Sequence, residues 1–170
     1  DQIIEDGYIY VDKTELIYKL THEGKIYFLS RPRRFGKSLL ISTLENYYLG
    51  RKELFKGLDI EKMETEWNTY PVFHVDFNGS DFTQEGVLEK RLNGYITDWE
   101  TAYGLKSETE FLDLGGRFIK ILETAHWQTG RRAVVLVDEY DKPILDVLDL
   151  DPALEDRHRN ILKAFYSVFK

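Results

Sequence analysis

The chain has 170 residues, 42% hydrophobic and 31% charged, which is the balance of one soluble globular domain with its own core and not of a disordered tail. Asp and Glu number 30 against 23 Lys and Arg, a formal net charge of -7, which argues against a whole-surface nucleic-acid binder but leaves room for a local basic patch. There is no Cys, which excludes disulfides, thiol nucleophiles, iron–sulfur clusters and Cys-ligated zinc, and the His residues at 22, 74, 126 and 158 share no helical i, i+3 or i, i+4 spacing on which a metal site could be built.

In chain order, the first predicted helix starts near Asp12, a candidate cap with Glu15 at the capping-box offset; Leu16, Ile17 and Leu20 form its apolar side and Gly24 ends it. The apolar run Ile26-Tyr27-Phe28-Leu29, bounded by turn residues, predicts a buried strand. From Gly36 to Leu49 the period is helical, with Leu39, Leu40, Thr43, Leu44 and Tyr47 on one face and Gly50 as the stop. Residues 53–69 read as short helices and a loop, and Pro71–Phe77 as a second strand. Thr83–Tyr103 carries Val87, Leu88, Leu92, Tyr95, Ile96 and Trp99 at helical spacing. A further helix is expected to open at Ser107, with Glu110 at the capping-box offset, and to run through Phe111, Phe118, Ile119 and Leu122 toward Gly130. Ala133–Val137 is a continuous Val-rich run of the kind found in parallel sheets covered on both faces. A last amphipathic helix holds Ile161, Leu162, Phe165, Tyr166 and Phe169. Strands separated by helical stretches predict an α/β layered fold, with the sheet order left open.

Two stretches carry chemistry. After the first predicted strand comes Ser30-Arg31-Pro32-Arg33-Arg34-Phe35-Gly36-Lys37-Ser38 and then a helix, the strand–loop–helix context of a phosphate-binding loop. A helix N-terminus offers free N–H groups and partial positive charge to phosphate. Lys37 is placed for the β- and γ-phosphates, Ser38 for Mg²⁺, and Gly36 for close backbone approach. The strict G-x-x-x-x-G-K-[ST] pattern fails at its first Gly, where Arg31 stands, so a Gly-Lys-Ser turn that merely starts a helix remains the alternative. The second stretch is Val134-Val135-Leu136-Val137-Asp138-Glu139, a Walker B form lying 138 − 37 = 101 residues after Lys37. Asp138 is expected to hold the Mg²⁺ shell with Ser38, and Glu139 to orient the water that attacks the γ-phosphate. The alternative is a buried strand whose end simply meets solvent in acids.

Tyr10-Val11-Asp12-Lys13-Thr14, the loop Arg31–Ser38, Asp138-Glu139-Tyr140-Asp141-Lys142-Pro143 and the short Phe165-Tyr166-Ser167 together resemble the bacterial and archaeal AAA-ATPase-like family, over nearly the whole chain. In that family the missing first Gly is normal. The resemblance implies an α/β P-loop NTPase of the additional-strand, catalytic-glutamate division, with a mainly parallel sheet flanked by helices. It makes residues 1–170 the N-terminal part of an AAA-like ATPase domain. ATP and Mg²⁺ follow as ligands: Arg33, Arg34, Phe35, Gly36, Lys37, Ser38 and Leu39 around the nucleotide, Ser38 and Asp138 at the metal, and Lys37 and Glu139 in catalysis. Full-length members of that family often carry a restriction-endonuclease-like nuclease domain downstream, which would be a route to nucleic acid and of which these 170 residues show nothing.

Between Lys25 and Lys52 the chain carries Lys25, Arg31, Arg33, Arg34, Lys37, Arg51 and Lys52 against Glu45 alone, a stretch suited to a triphosphate or, alternatively, a DNA backbone. Arg33 or Arg34 reads as charge compensation, with an arginine finger as the sharper alternative. Asp141-Lys142-Pro143 reads as a turn that fixes Glu139, with an ion pair at Lys142; His74 and the aromatics read as packed; and the acids Asp146, Asp149, Asp151, Glu155 and Asp156 read as a solvated loop. The longest apolar run, Ala133–Val137, is far short of the roughly 18 residues of a membrane span, and no signal-peptide pattern is present, so no membrane contact and a cytoplasmic location are expected. The chain begins with Asp1 and not Met, which suggests a piece of something longer. After Asp138 there remain 170 − 138 = 32 residues, read mostly as loop and one helix, without a candidate for the sensor strand of that division. The expected fold therefore stops before that strand, with weak activity and a tendency to self-associate. Three functions remain in play: Mg²⁺-dependent ATP hydrolysis, an ATP-gated switch or scaffold without useful turnover, and a nucleic-acid-associated module that uses the arginine-rich loop.

Overall fold

The computed structural model describes residues 7, 9–30, 35–105 and 108–169. The chain divides into two compact units, Asp1–Val72 and Phe73–Lys170.

The first unit is built on short helices. α1 (Thr14–Glu23) starts one residue later than its cap signal suggests. Asp12 sits behind it and accepts from the Thr14 N–H (2.8 Å) and from the Thr14 hydroxyl (2.7 Å). Its other oxygen accepts the Asp59 N–H at 2.7 Å, and the buried Thr14 hydroxyl accepts the Ile60 N–H at 3.1 Å. One Asp–Thr pair therefore satisfies orphan donors at the heads of both α1 and α3 (Asp59–Met63). Burial opposes ionisation of Asp12, but these hydrogen bonds prevail and hold its carboxyl below the usual range. Glu15 does not close a capping box; it pairs with Lys19 along the helix. Between them α2 (Lys37–Tyr48) buries Leu44 and Tyr47, and Tyr47 packs edge-on against Phe55 of a 3₁₀ turn (Lys52–Phe55) and against Trp67.

The predicted strand at 26–29 does not form. Ile26 and Phe28 are 77% and 69% exposed, and residues 26–29 belong to neither strand of the described sheet. A run that is apolar on every side is stable as a strand only with both faces covered, and here Ile26, Tyr27, Phe28 and Leu29 are all exposed.

The second unit is α/β: a two-stranded parallel sheet of β1 (Val72–Asp76) and β2 (Val134–Asp138) flanked by helices, with α4 (Val87–Tyr103) and α5 (Leu114–Thr129) in the crossover between the strands. β1 alternates strictly. Phe73, Val75 and Phe77 are fully buried, and Val72, His74 and Asp76 are half-covered. His74 is thus packed, as expected. Leu88, Leu92 and Ile96 of α4, Phe118, Ile121 and Ala125 of α5, and Leu162 and Phe165 of α7 (Pro152–Ser167) close over this face. Phe118 is the hub: it stacks on Phe165 at 5.1 Å and on Trp99 at 5.3 Å and meets Phe73 edge-on at 6.0 Å.

Two helix boundaries differ from expectation. α5 begins at Leu114, capped by Asp113, whose Oδ1 accepts the Gly116 N–H at 2.7 Å; Ser107, the expected start, lies outside the described residues, and 108–113 are not helical. Phe111 consequently lies outside the helix and is exposed. The acidic run beyond residue 145 is a loop only in part: Asp146, Asp149 and Asp151 lie in the connection between two helices, with Asp149 and Asp151 exposed, but Asp146 pairs with Lys142, Asp151 caps α7 by accepting the N–H groups of Ala153 and Leu154, and Glu155 and Asp156 belong to that helix, where Glu155 pairs with Arg159.

Candidate functional site

The phosphate-loop residues fall in the first unit and the acidic strand end in the second. Arg33 and Arg34 lie outside the described residues. Phe35, Gly36, Lys37, Ser38 and Leu39 are brought together at the head of α2. Gly36 is left-handed (φ 73°, ψ 23°) and occupies the N-cap position, which turns the chain into the helix without offering a side chain to cap it. Among the described residues a Cβ at Gly36 would meet nothing within 4 Å, and the demand for Gly there comes from its positive φ. Lys37 is the first helical residue, and the first turn carries no acid. A cation at the positive end of a helix works against the macrodipole by roughly 0.3–1 kcal/mol. That penalty becomes an asset when an anion sits there, because helix end and ammonium then act on it together. Ser38 and Leu39 are exposed beside it, as is Phe35.

The acidic end is built differently. β2 runs Val134–Asp138, and Asp138 is 6% exposed at its last position. The Asp138 carbonyl accepts the Phe77 N–H at 3.2 Å, which ties it to the end of β1, and its Oδ1 accepts the Glu139 N–H at 3.0 Å. Glu139 then turns the chain in a left-handed conformation (φ 49°). For a non-Gly residue that costs of order 1–3 kcal/mol and persists only where the surroundings over-determine it. They do so here. The Glu139 carbonyl accepts the Lys142 N–H at 3.0 Å, and α6 (Lys142–Leu145) follows at once. Lys142 Nζ donates to the Ser80 carbonyl at 2.9 Å, pairs with Asp146, and lies 5.1 Å from the centre of the Phe82 ring. The Tyr166 hydroxyl of α7 donates to the Tyr140 carbonyl at 3.2 Å. His158 Nδ1, also on α7, lies 2.8 Å from the Pro143 carbonyl oxygen; that oxygen can only accept, so Nδ1 carries the hydrogen. Burial above all, and then the nearby Asp141, push the Tyr166 phenol well above its ordinary value, so it remains a hydroxyl donor.

Asp141 stands in the expected turn, but Lys142 and Pro143 already open α6; the expected ion pair at Lys142 forms with Asp146, on a half-buried lysine and not a surface one. His158 and Tyr166 were not readable as part of this region. Their partners lie 15 and 26 residues away in sequence, and the signal that could have pointed to them is their spacing: with Leu162 and Phe165 they fall at i, i+4, i+7 and i+8, one face of one helix.

Among the described residues no group of three or more His, Asp or Glu is arranged to hold a metal ion by itself. None of their helices is long and apolar enough to cross a membrane.

A family model described as "Predicted AAA-ATPase" (AAA-ATPase-like) matches residues 1–170, and the chain belongs to that family. It is similar to an uncharacterized protein in the vnfD 5' region of Azotobacter chroococcum mcd 1, with 40% identity over 165 residues. The match covers 97% of this chain and 31% of that protein, so the chain spans about a third of its relative's length. No solved structure matches.

Proposed function

We propose that this AAA-ATPase-like chain is a P-loop domain that binds ATP with Mg²⁺ and hydrolyses it. The observation that carries the reading is the head of α2: a left-handed Gly36 delivers Lys37 to the positive end of a helix whose first turn holds no acid. That combination presents a phosphate with main-chain N–H groups, the positive end of a helix and an ammonium group together. Lys37 would hold the β/γ-phosphates, with Arg33, Arg34, Phe35, Gly36 and Leu39 around the nucleotide. Mg²⁺ would be held by Ser38 and Asp138 together with the phosphates, since this ion usually takes only one or two protein ligands beside phosphate oxygens. It would offset the charge of the phosphates. Glu139 would accept hydrogen bonding from the attacking water and orient it.

The test is a pair of variants in the intact protein. Lys37→Ala should weaken ATP binding at least tenfold by calorimetry, about 1.4 kcal/mol, and unchanged affinity would remove the phosphate-loop reading. Glu139→Gln should retain affinity while turnover falls by roughly 10²-fold, the scale of losing a general base. A Glu139→Gln protein as active as its parent would leave Glu139 structural and favour the nucleotide-gated switch.

A further inference from the structure

The turn that carries Glu139 is held by one face of α7, besides the bond from Lys142 to Ser80. α7 reaches it at two points: Tyr166 bonds the carbonyl of Tyr140, next to Glu139, and His158 bonds the carbonyl of Pro143, the second residue of α6. His158 is fully buried and Tyr166 half-buried, so neither grip is a loose surface contact. Between them Leu162 and Phe165 sink into the core of the second unit, and Phe165 stacks on Phe118. The helix is therefore referenced to the core, and the turn is referenced to the helix. Glu139 itself occupies a backbone conformation that a Glu adopts only under constraint.

We propose that His158 and Tyr166 are positioning residues: through the carbonyls of Pro143 and Tyr140 they hold Glu139 in its left-handed conformation at the end of β2, so that α7 sets the turnover rate. This inference rests on the reading of Glu139 as the residue that orients water. It goes beyond that reading in making the rate depend on a helix that bears none of the nucleotide-binding or catalytic residues. Any displacement of α7 would pull on both carbonyls and release Glu139 toward ordinary backbone angles, which makes the helix a point through which turnover can be regulated.

Tyr166→Phe removes one hydroxyl and leaves the ring in place. In the intact protein it should lower kcat about tenfold with ATP affinity unchanged within about twofold, the signature of a misplaced reacting group and not of lost binding. Amide hydrogen exchange across residues 139–146 should quicken about fivefold, with the buried strand positions of β2 unaffected. In a Glu139→Gln background the same substitution should change turnover by less than about twofold, because the group it positions is already gone. His158→Leu should repeat the pattern, and His158→Asn, which keeps a donor near the place of Nδ1, should recover most of the rate. A merely structural role would lower the thermal midpoint and leave kcat of the folded protein intact. Parental kcat in Tyr166→Phe, or an equal fall in the Glu139→Gln background, overturns the proposal. Failure of the underlying reading looks different: Glu139→Gln by itself would then hydrolyse ATP like the parent, whatever residue stands at 166.

Discussion

Arg117→Met is expected to destabilise the second unit by about 3 kcal/mol, at the lower end of the range for breaking a buried ion pair on one side. Arg117 of α5 makes a two-pronged bond to Glu100 of α4, with Nε to Oε1 at 2.8 Å and a second guanidinium nitrogen to Oε2 at 2.6 Å. It also donates to Asn93 (2.7 Å) and Thr97 (3.2 Å), so one side chain staples three positions of α4, Asn93, Thr97 and Glu100. The Glu100 side chain is 5% exposed and that of Arg117 19%, which places the cost in the carboxylate left behind more than in the lost guanidinium. A Glu100→Met, Arg117→Met double variant should therefore recover most of the loss, since no charge is then buried alone. The assay is urea unfolding, read as a midpoint shift at constant slope. The pH dependence has a definite sign. The bonds from Arg117 hold the Glu100 carboxyl below its usual range despite burial, so its contribution is complete above the unfolded carboxylate value of about 4.3 and is lost as pH falls through the folded value. In Arg117→Met that support is gone, so the deficit against the parent should hold from pH 7 down to about 4.3 and narrow as pH falls below it through the folded value. A loss under about 1 kcal/mol at pH 7, a deficit independent of pH, or a double variant no better than the single would each refute the reasoning.

Three further outcomes follow from the geometry. Lys142→Met should cost about 1–2 kcal/mol by denaturant titration, because it strips a charge-assisted bond from the Ser80 carbonyl and leaves the half-buried Asp146 without its cation. Asp151→Ala should cost about 1 kcal/mol of thermal stability through the two N–H groups it caps, while Asp151→Asn should cost little. Glu139→Gly relieves a left-handed non-Gly residue, so circular-dichroism melting should show stability equal to or above the parent's by up to about 1 kcal/mol even though turnover is lost.

Much of the second unit was legible because its signals are long and mutually consistent. Val134–Asp138 could be read from a continuous apolar run, Val72–Asp76 from its β-branched and aromatic content, and Val87–Tyr103 from apolar spacing sustained over four turns. Errors came where two local signals competed. Ser107 with Glu110 and Asp113 with Gly116 are both plausible helix starts, and spacing cannot choose between them; the packing of Phe118, Ile121 and Ala125 does. Asp151-Pro152 with Glu155 is itself a strong start signal, a capping residue followed by Pro at the first helical position, but it was hidden inside a run of acids that reads equally well as solvated chain. At residues 26–29 the pattern declares a demand for burial and says nothing about which neighbour is to meet it.

The candidate site divides along the same line. Lys37, Ser38, Asp138 and Glu139 could be named because phosphate chemistry needs those side chains at the ends of a strand and a helix, and sequence adjacency preserves that relation. What holds Glu139 is not adjacent. A left-handed φ at a Glu has no local signature, since Gly or Asn is the residue that usually marks it, and here the conformation is imposed by the bonds that Lys142, His158 and Tyr166 make to the carbonyls of Ser80, Pro143 and Tyr140. Those bonds end on main-chain carbonyls. Any residue can supply a carbonyl, so neither partner's identity records the contact. A residue whose chemistry is written in the sequence but whose conformation is imposed from elsewhere can be disabled without being touched. That is why substitutions at Tyr166 and His158 probe this site more sharply than further changes to Glu139 itself.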